Sequence, residues 1–377
     1  MLERRVDTAD FGRFRAANRF DALDGLRALS VIAVVWHHTS GSTGGTLAAR
    51  GYLGVDFFFA ISGFLITTLL LREFDSTRRI SLRKFYARRA LRIFPLYYAT
   101  LLVYVALVAA TRRHDADGRE FVEHLPAFLT YTSNWFVDLG HANSVIFYFA
   151  WSLATEEQFY LLWPPLLVAA LTLGRRRIWL PLAVLVVLVT ISQGTGLIAD
   201  ATALPGRIAA SMSLPILLAS ALALIVGTPT GYAVVANVLA RIWSAPLAAV
   251  ALIVAVALDA PQPATQCLMV AVVVSTCLVG WTPLHPALRW RPLAFVGVIS
   301  YGVYLLHMLS ANVARRALHL DHGRLLFAAT LLLVTLAAYL SFRYFESPLL
   351  RLKRRFETGA QRGGDELSRI AAGPAAH

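Results

Sequence analysis

The chain has 377 residues, 57% of them hydrophobic and 15% charged, with a mean hydropathy of +0.60. That balance excludes an ordinary soluble two-domain protein and indicates a polytopic membrane protein. The net charge of +13 is almost wholly arginine, Lys84 and Lys353 being the only lysines, and these cations gather in alternate loops between apolar runs, a pattern of membrane orientation rather than of nucleic-acid binding.

Residues 1–20 form a basic leader carrying Arg4, Arg5, Arg13, Arg15 and Arg19. With the apolar run 28–36 behind it, the leader imitates a signal peptide, but the polar ends Arg27 and His38 and the lack of a small-residue cleavage site fit a retained span. Candidate spans follow at about 24–40, 54–71, 93–111, 153–173, 178–198, 208–226, 244–258, 264–281, 292–312 and 324–344. The expectation is an all-α, polytopic membrane protein of about ten transmembrane helices. An even count puts both termini on one side. The bias of Lys and Arg toward the leader, 72–92, 175–177 and the tail from Arg351 makes that side the cytoplasm.

The first span, RALSVIAVVWHH (27–38), holds an arginine and a histidine in a membrane-length segment, where polar groups are costly and are functional candidates by default. Eleven residues at about 100° each make three turns and roughly 20°, so Arg27 and His38 share a helix face with a rise of about 16 Å between them, and His37 points elsewhere. On this topology Asp56, Glu156 and His307 fall at a depth similar to that of His38. Residues 81–98 read as an amphipathic helix entering the third span, with Arg89 and Arg92 on one face and a bend or restart at Pro95. Cys267 and Cys277 lie in one apolar run and read as packing residues, so neither a disulfide framework nor a metal site is expected. Three units result: a leader (1–20), a membrane domain (21–352) and a basic, disordered cytoplasmic tail (353–377).

The segments DGLRALSVIAVVWHH, GYLGVDFFFAISGF (51–64), ARRALRIFPLYY (87–98), WSLATEEQFYLLWP (151–164), SYGVYLLH (300–307) and FESPL (345–349) together resemble the membrane acyltransferase 3 family. The likeness covers roughly residues 21–352, with the motifs in the family's order. It implies a ten-helix domain that takes an acyl group, commonly acetyl, from cytoplasmic acyl-CoA and passes it to a hydroxyl of a sugar or other acceptor, often at the outer face of the bacterial inner membrane. The family's Arg-x10-His pattern falls on Arg27 and His38, its Arg-x-x-Arg on Arg89 and Arg92, and its Glu-x-x-Phe-Tyr on Glu156, Phe159 and Tyr160. A C-terminal esterase-like domain present in some members is expected to be absent. The acceptor is left open between surface polysaccharide or lipid-linked sugar and a secreted small molecule such as a macrolide.

Acyl transfer from a thioester to an alcohol needs a base for the hydroxyl proton, and neutral histidine suits that task near pH 7. His38 is the expected base, with a covalent acyl-histidine relay as the alternative. Asp56 or Glu156 would fix its tautomer; each could instead pair with an arginine or cap a helix. Arg27, Arg89 and Arg92 are expected to bind the phosphates or pantetheine arm of acyl-CoA, since guanidinium groups hold phosphates bidentately. Tyr160, Tyr301 and His307 are expected to line the acceptor side. Ser62-Gly63-Phe64 lacks a nucleophile elbow and reads as a close helix contact. A transporter or flippase is the rival class, weakened by the lack of internal repeats.

Overall fold

The computed structural model describes residues 8–17, 20–137, 145–173, 178–198, 203–353 and 356. Helix α1 (Thr8–Ala16) leads into α2 (Ala22–Ser40), the short α3 (Gly45–Ala49), α4 (Gly54–Thr77) and α5 (Leu82–Thr111). Helices α6 (Ala116–Leu129) and α7 (Ser133–Phe136) connect to α8 (Ala150–Leu173) and α9 (Trp179–Ile198). Next come α10 (Leu204–Ala210), α11 (Leu214–Val226), α12 (Pro229–Leu239), α13 (Ser244–Ala257), α14 (Gln262–Leu278) and α15 (His285–Leu288). The chain continues with α16 (Arg291–Val298), α17 (Ser300–Leu318) and α18 (Arg324–Ser341), and a π-helical turn over Phe342–Glu346 joins α18 to α19 (Ser347–Lys353).

The all-α, multi-pass character stands, but the expected ten spans do not. Among the described residues, Gly51–Thr77, Leu82–Thr111 and Arg324–Leu352 are long and apolar enough to cross a bilayer, which makes three, or up to six if each of three bent pairs counts as one span. Those pairs are α10 with α11, α12 with α13 and α16 with α17, bent by 49°, 62° and 78°. Hydropathy registers apolar length and is blind to a break, so the runs read as straight spans at 208–226 and 292–312 are broken here, and that at 244–258 is the second arm of a bent pair. Two further expected spans contain apolar helices of fewer than 18 residues, Trp179–Gly194 and Gln262–Leu278. With the count gone, parity no longer places the two termini on one side.

Helices α2 and α8 are also outside the apolar set, and their place explains why. Helix α2 packs against α4, α16, α17 and α18, and Ala28, Val31 and Val35 on it are fully buried. A helix surrounded by protein can carry Asp24, Arg27 and two histidines because neighbouring side chains, not lipid, solvate them. The bend anticipated at Pro95 does not interrupt α5, which is continuous from Leu82 to Thr111. Of the leader, Thr8–Ala16 is helical, and Phe14 on it is buried among Phe20, Phe64 and Tyr232. Arg4, Arg5 and Arg19, the 175–177 arginines and nearly all of the tail lie outside the described residues.

The contact of α2 with α4 depends on Gly54, where an added Cβ would come within 2.3 Å of the Ser30 carbonyl oxygen. Backbone on both sides leaves nothing flexible to yield. Gly54→Ala is therefore expected to destabilise the fold by about 1–3 kcal/mol, the usual cost of overpacking. A lower thermal midpoint of the purified protein in detergent would register this; an unchanged midpoint would mean that the two helices are not so close.

Candidate active site

His38 sits in the last turn of α2. Its Nδ1 is 2.8 Å from the Val34 carbonyl oxygen and its Nε2 2.7 Å from the Tyr148 hydroxyl. A carbonyl only accepts, so Nδ1 must carry the proton, and Nε2 of the neutral ring is the lone-pair nitrogen that receives the Tyr148 hydrogen. Tyr148 lies in the turn just before α8. A guanidinium nitrogen of Arg315, from α17, donates to the His38 carbonyl at 2.6 Å.

His307, in the middle of α17, faces His38 edge-on with ring centroids 4.9 Å apart. It is 1% exposed. Its Nδ1 donates to the Tyr304 carbonyl, while its Nε2 is buried without a hydrogen-bond partner among the described residues. Tyr304 bonds Ser152 Oγ at 2.6 Å and donates to the Phe149 carbonyl at 3.0 Å, tying α17 to the start of α8 beside the histidine pair.

The second cluster is built at the other end of α2. Arg27 is 3.0 Å from Asp24, an ion pair one turn apart. Arg92 of α5 is within electrostatic range of Arg27 and Arg89, with Glu346 and Asp24 as the acids nearby. Glu156 lies among Arg89 and Arg27, accepts from Ser62 Oγ at 2.7 Å, and Tyr160 in turn donates to Ser62 at 3.0 Å. The guanidinium of Arg89 stands 4.8 Å over the Tyr160 ring. Tyr301 donates to the Ile93 carbonyl at 2.8 Å, among Glu157, Glu346 and Glu156. Arg88, adjacent in sequence, is buried and paired with Glu73 at 3.6 Å, with one nitrogen on the Phe356 carbonyl at 2.7 Å.

The candidates named from the sequence thus divide. His38 and His307 meet; Arg27, Arg89, Arg92, Glu156, Tyr160 and Tyr301 belong to the other cluster. Asp56 belongs to neither, because its Oδ2 accepts from Gln266 at 2.9 Å and Gln262 at 3.2 Å. No hydrogen bond or ion pair joins Asp56 or Glu156 to His38 among the described residues, and the group fixing the His38 tautomer is a backbone carbonyl. Among the described residues, no group of three or more His, Cys, Asp or Glu converges to hold a metal ion.

The model of the family described as "Acyltransferase domain" matches residues 20–343. The chain belongs to that family. Its relatives include a Staphylococcus aureus protein provisionally named an O-acetyltransferase, 36% identical over 177 residues, which are 45% of this chain and 28% of that protein. The Listeria monocytogenes peptidoglycan O-acetyltransferase OatA is 36% identical over 158 residues, 40% of this chain and 24% of its own length. A Bacillus subtilis protein provisionally named as a peptidoglycan O-acetyltransferase, YrhL, is 26% identical over 353 residues, 87% of this chain and 54% of that protein. The chain therefore spans about a quarter to a half of the curated relatives' lengths. No solved structure matches it.

Within this acyltransferase-family fold, residues that sequence reasoning missed occupy contact positions. Tyr148 and Arg315 reach His38 from 110 and 277 residues away, and nothing local in sequence marks a partner at that separation. Asp24 could have been found, three residues before Arg27 on one face. Ser62 proves a hydrogen-bonding link between Glu156 and Tyr160, and its neighbour Gly63 is the close contact, with an added Cβ 2.2 Å from the Ile216 carbonyl oxygen. The hydrogen bonds make a spectroscopic forecast for His38. In ¹⁵N-histidine-labelled protein the His38 signals are expected to show the Nδ1–H tautomer, and Tyr148→Phe to shift Nε2 while leaving that tautomer in place. An Nε2–H tautomer in the unmodified protein would contradict the assignment.

Proposed function

We propose that the protein is an O-acyltransferase of the bacterial cytoplasmic membrane that moves an acyl group, acetyl first among them, from acyl-CoA to a hydroxyl of a carbohydrate. Membership of the acyltransferase family supports the reaction class. The carbohydrate acceptor is supported by the relatives named for peptidoglycan. The observation that carries the mechanism is the arrangement along α2, with a guanidinium cluster at one end and, about 16 Å of helix rise away, an imidazole whose Nε2 is the basic nitrogen.

In this reading Arg27, Arg89 and Arg92 hold the phosphate groups of the donor, and Asp24, Glu156 and Glu346 keep that cationic cluster from repelling itself apart. The pantetheine arm extends along the face of α2 and brings the thioester to His38. The acceptor hydroxyl takes the place of the Tyr148 hydroxyl on Nε2. Nε2 removes the hydroxyl proton as the oxygen attacks the thioester carbonyl; the carbon–sulfur bond breaks, and the imidazolium returns its proton to the CoA thiolate. The Val34 carbonyl holds Nδ1–H throughout, so the imidazolium forms with one proton already hydrogen-bonded. His307 and Tyr304 close the far side of the ring against water.

The test uses labelled acetyl-CoA with membranes or reconstituted protein and cell-wall glycan as acceptor. His38→Ala is expected to reduce transfer by roughly 10²–10⁴-fold at unchanged protein level, the span general-base catalysis covers. Full transfer by that variant would sink the mechanism. Arg89→Ala and Arg92→Ala are expected to act differently, raising KM for acetyl-CoA more than they lower kcat. Equal losses in kcat with KM unmoved would remove them from donor binding.

A further inference from the structure

A cavity of about 580 Å³ is used by neither cluster described above, and neither histidine of the pair is in its lining. Its walls come from one end of the bundle: Asp56 near the start of α4, Trp151 at the start of α8, Gln193 late in α9, and Gln262 and Gln266 at the start of α14, with Asn134 from α7. The turn that supplies Tyr148 to His38 runs directly into Trp151, so one short segment touches both the imidazole and the cavity.

The polar groups here are held in place and have capacity to spare. Asp56 accepts both glutamine amides on Oδ2, and its Oδ1 takes no hydrogen bond among the described residues. Asn134 is locked by reciprocal bonds with Gln158, each at 2.9 Å. Ser213 Oγ, also in the wall, is buried without a hydrogen-bond partner among the described residues. Arg50 braces the turn ahead of Gln262 by bonding the Ala260 carbonyl at 3.0 Å and Asp259 at 3.2 Å. Asp56 and Gln266 are buried while Gln193 and Gln262 are exposed, so the cavity opens past those two glutamines.

The lining selects its ligand class. An acyl chain would set hydrocarbon against the free Oδ1 of Asp56 and the exposed carboxamides of Gln193 and Gln262, and an anion would meet the Asp56 carboxylate. Carboxylate and carboxamide groups beside an indole suit a neutral ring with many hydroxyls, which takes paired hydrogen bonds at its edge and apolar contact on its face. Arg207, also in the lining, is bonded to the Trp135 carbonyl at 3.4 Å. The geometry points to this cavity as a sugar-binding subsite that holds a pyranose ring of the acceptor, with Asp56 and Gln266 on its hydroxyls and Trp151 against its face. Calling the sugar an acceptor rests on the acyltransferase reading above; its binding does not. Asp56 thereby serves to hold the acceptor rather than to orient the imidazole.

Equilibrium dialysis of the full chain in detergent, with radiolabelled β-1,4-linked N-acetylglucosamine tetrasaccharide and with maltotetraose, tests binding without catalysis. Saturable binding of at least one is expected, weakened roughly tenfold or more by Gln266→Leu and by Trp151→Leu. Because Gln266→Leu also unseats Asp56, Gln193→Leu on the opposite wall is the independent variant, expected to weaken binding several-fold. No saturable binding of either probe, or unchanged binding in Gln193→Leu and Trp151→Leu, overturns the subsite. Binding lost in these variants while the unmodified protein transfers no acetyl group would keep the subsite and defeat the acyltransferase reading. Transfer that proceeds with the acceptor KM unmoved by the same variants would do the reverse.

Discussion

The hydrogen bond from His38 Nδ1 to the carbonyl one turn back on α2 is the constraint from which the rest of the site follows. A carbonyl oxygen has two lone pairs, so Val34 can accept from the ring without giving up its place in the helix. The bond also commits the imidazole to one tautomer. With Nδ1 spoken for, every other group near the ring must come to terms with a bare Nε2, and the Tyr148 hydroxyl is the group that does. A carboxylate at Nδ1 would have been a stronger electrostatic partner, but it would have placed a second charge in a region lined by Phe149, Tyr304 and His307.

Charge is managed differently at the two ends of α2. At the arginine end the cations are matched locally, Arg27 by Asp24 and Arg88 by Glu73, with Glu156 and Glu346 within reach of Arg89 and Arg92. Removing one member of such a set leaves its partner buried and unpaired, which costs more than the pair contributed. At the histidine end the ring contacts are aromatic ones, and Arg315 donates to the His38 backbone carbonyl rather than to its ring. The two ends of a single helix thus hold opposite environments, matched charges at one and aromatic rings at the other.

Much of the site can be read from the chain alone. The face shared by Arg27 and His38 is a matter of helical angle, and α2 is one unbroken helix over both residues. The selection of His38 over His37 rests on the same angle; in the fold His37 bonds the Ala48 carbonyl at 3.2 Å, a contact with the short helix α3. The arginine pair Arg89 and Arg92 likewise occupies one face of a continuous helix. Hydropathy is what misleads. It turns each apolar run into a straight span, whereas three of those runs belong to helix pairs bent by 49°, 62° and 78°.

Local periodicity and composition are enough to make the chain helical and membrane-bound and to say which residues share a face within one helix, and its shared motifs place it among acyltransferases. Which faces meet is another matter. Tyr148 and His307 converge on His38 from distant segments, Asp56 turns to two glutamines of α14 instead, and three apolar runs bend. Helix periodicity fixes the direction of a side chain about its own axis, while the neighbour it meets is set by packing between helices, to which no short stretch of residues has access.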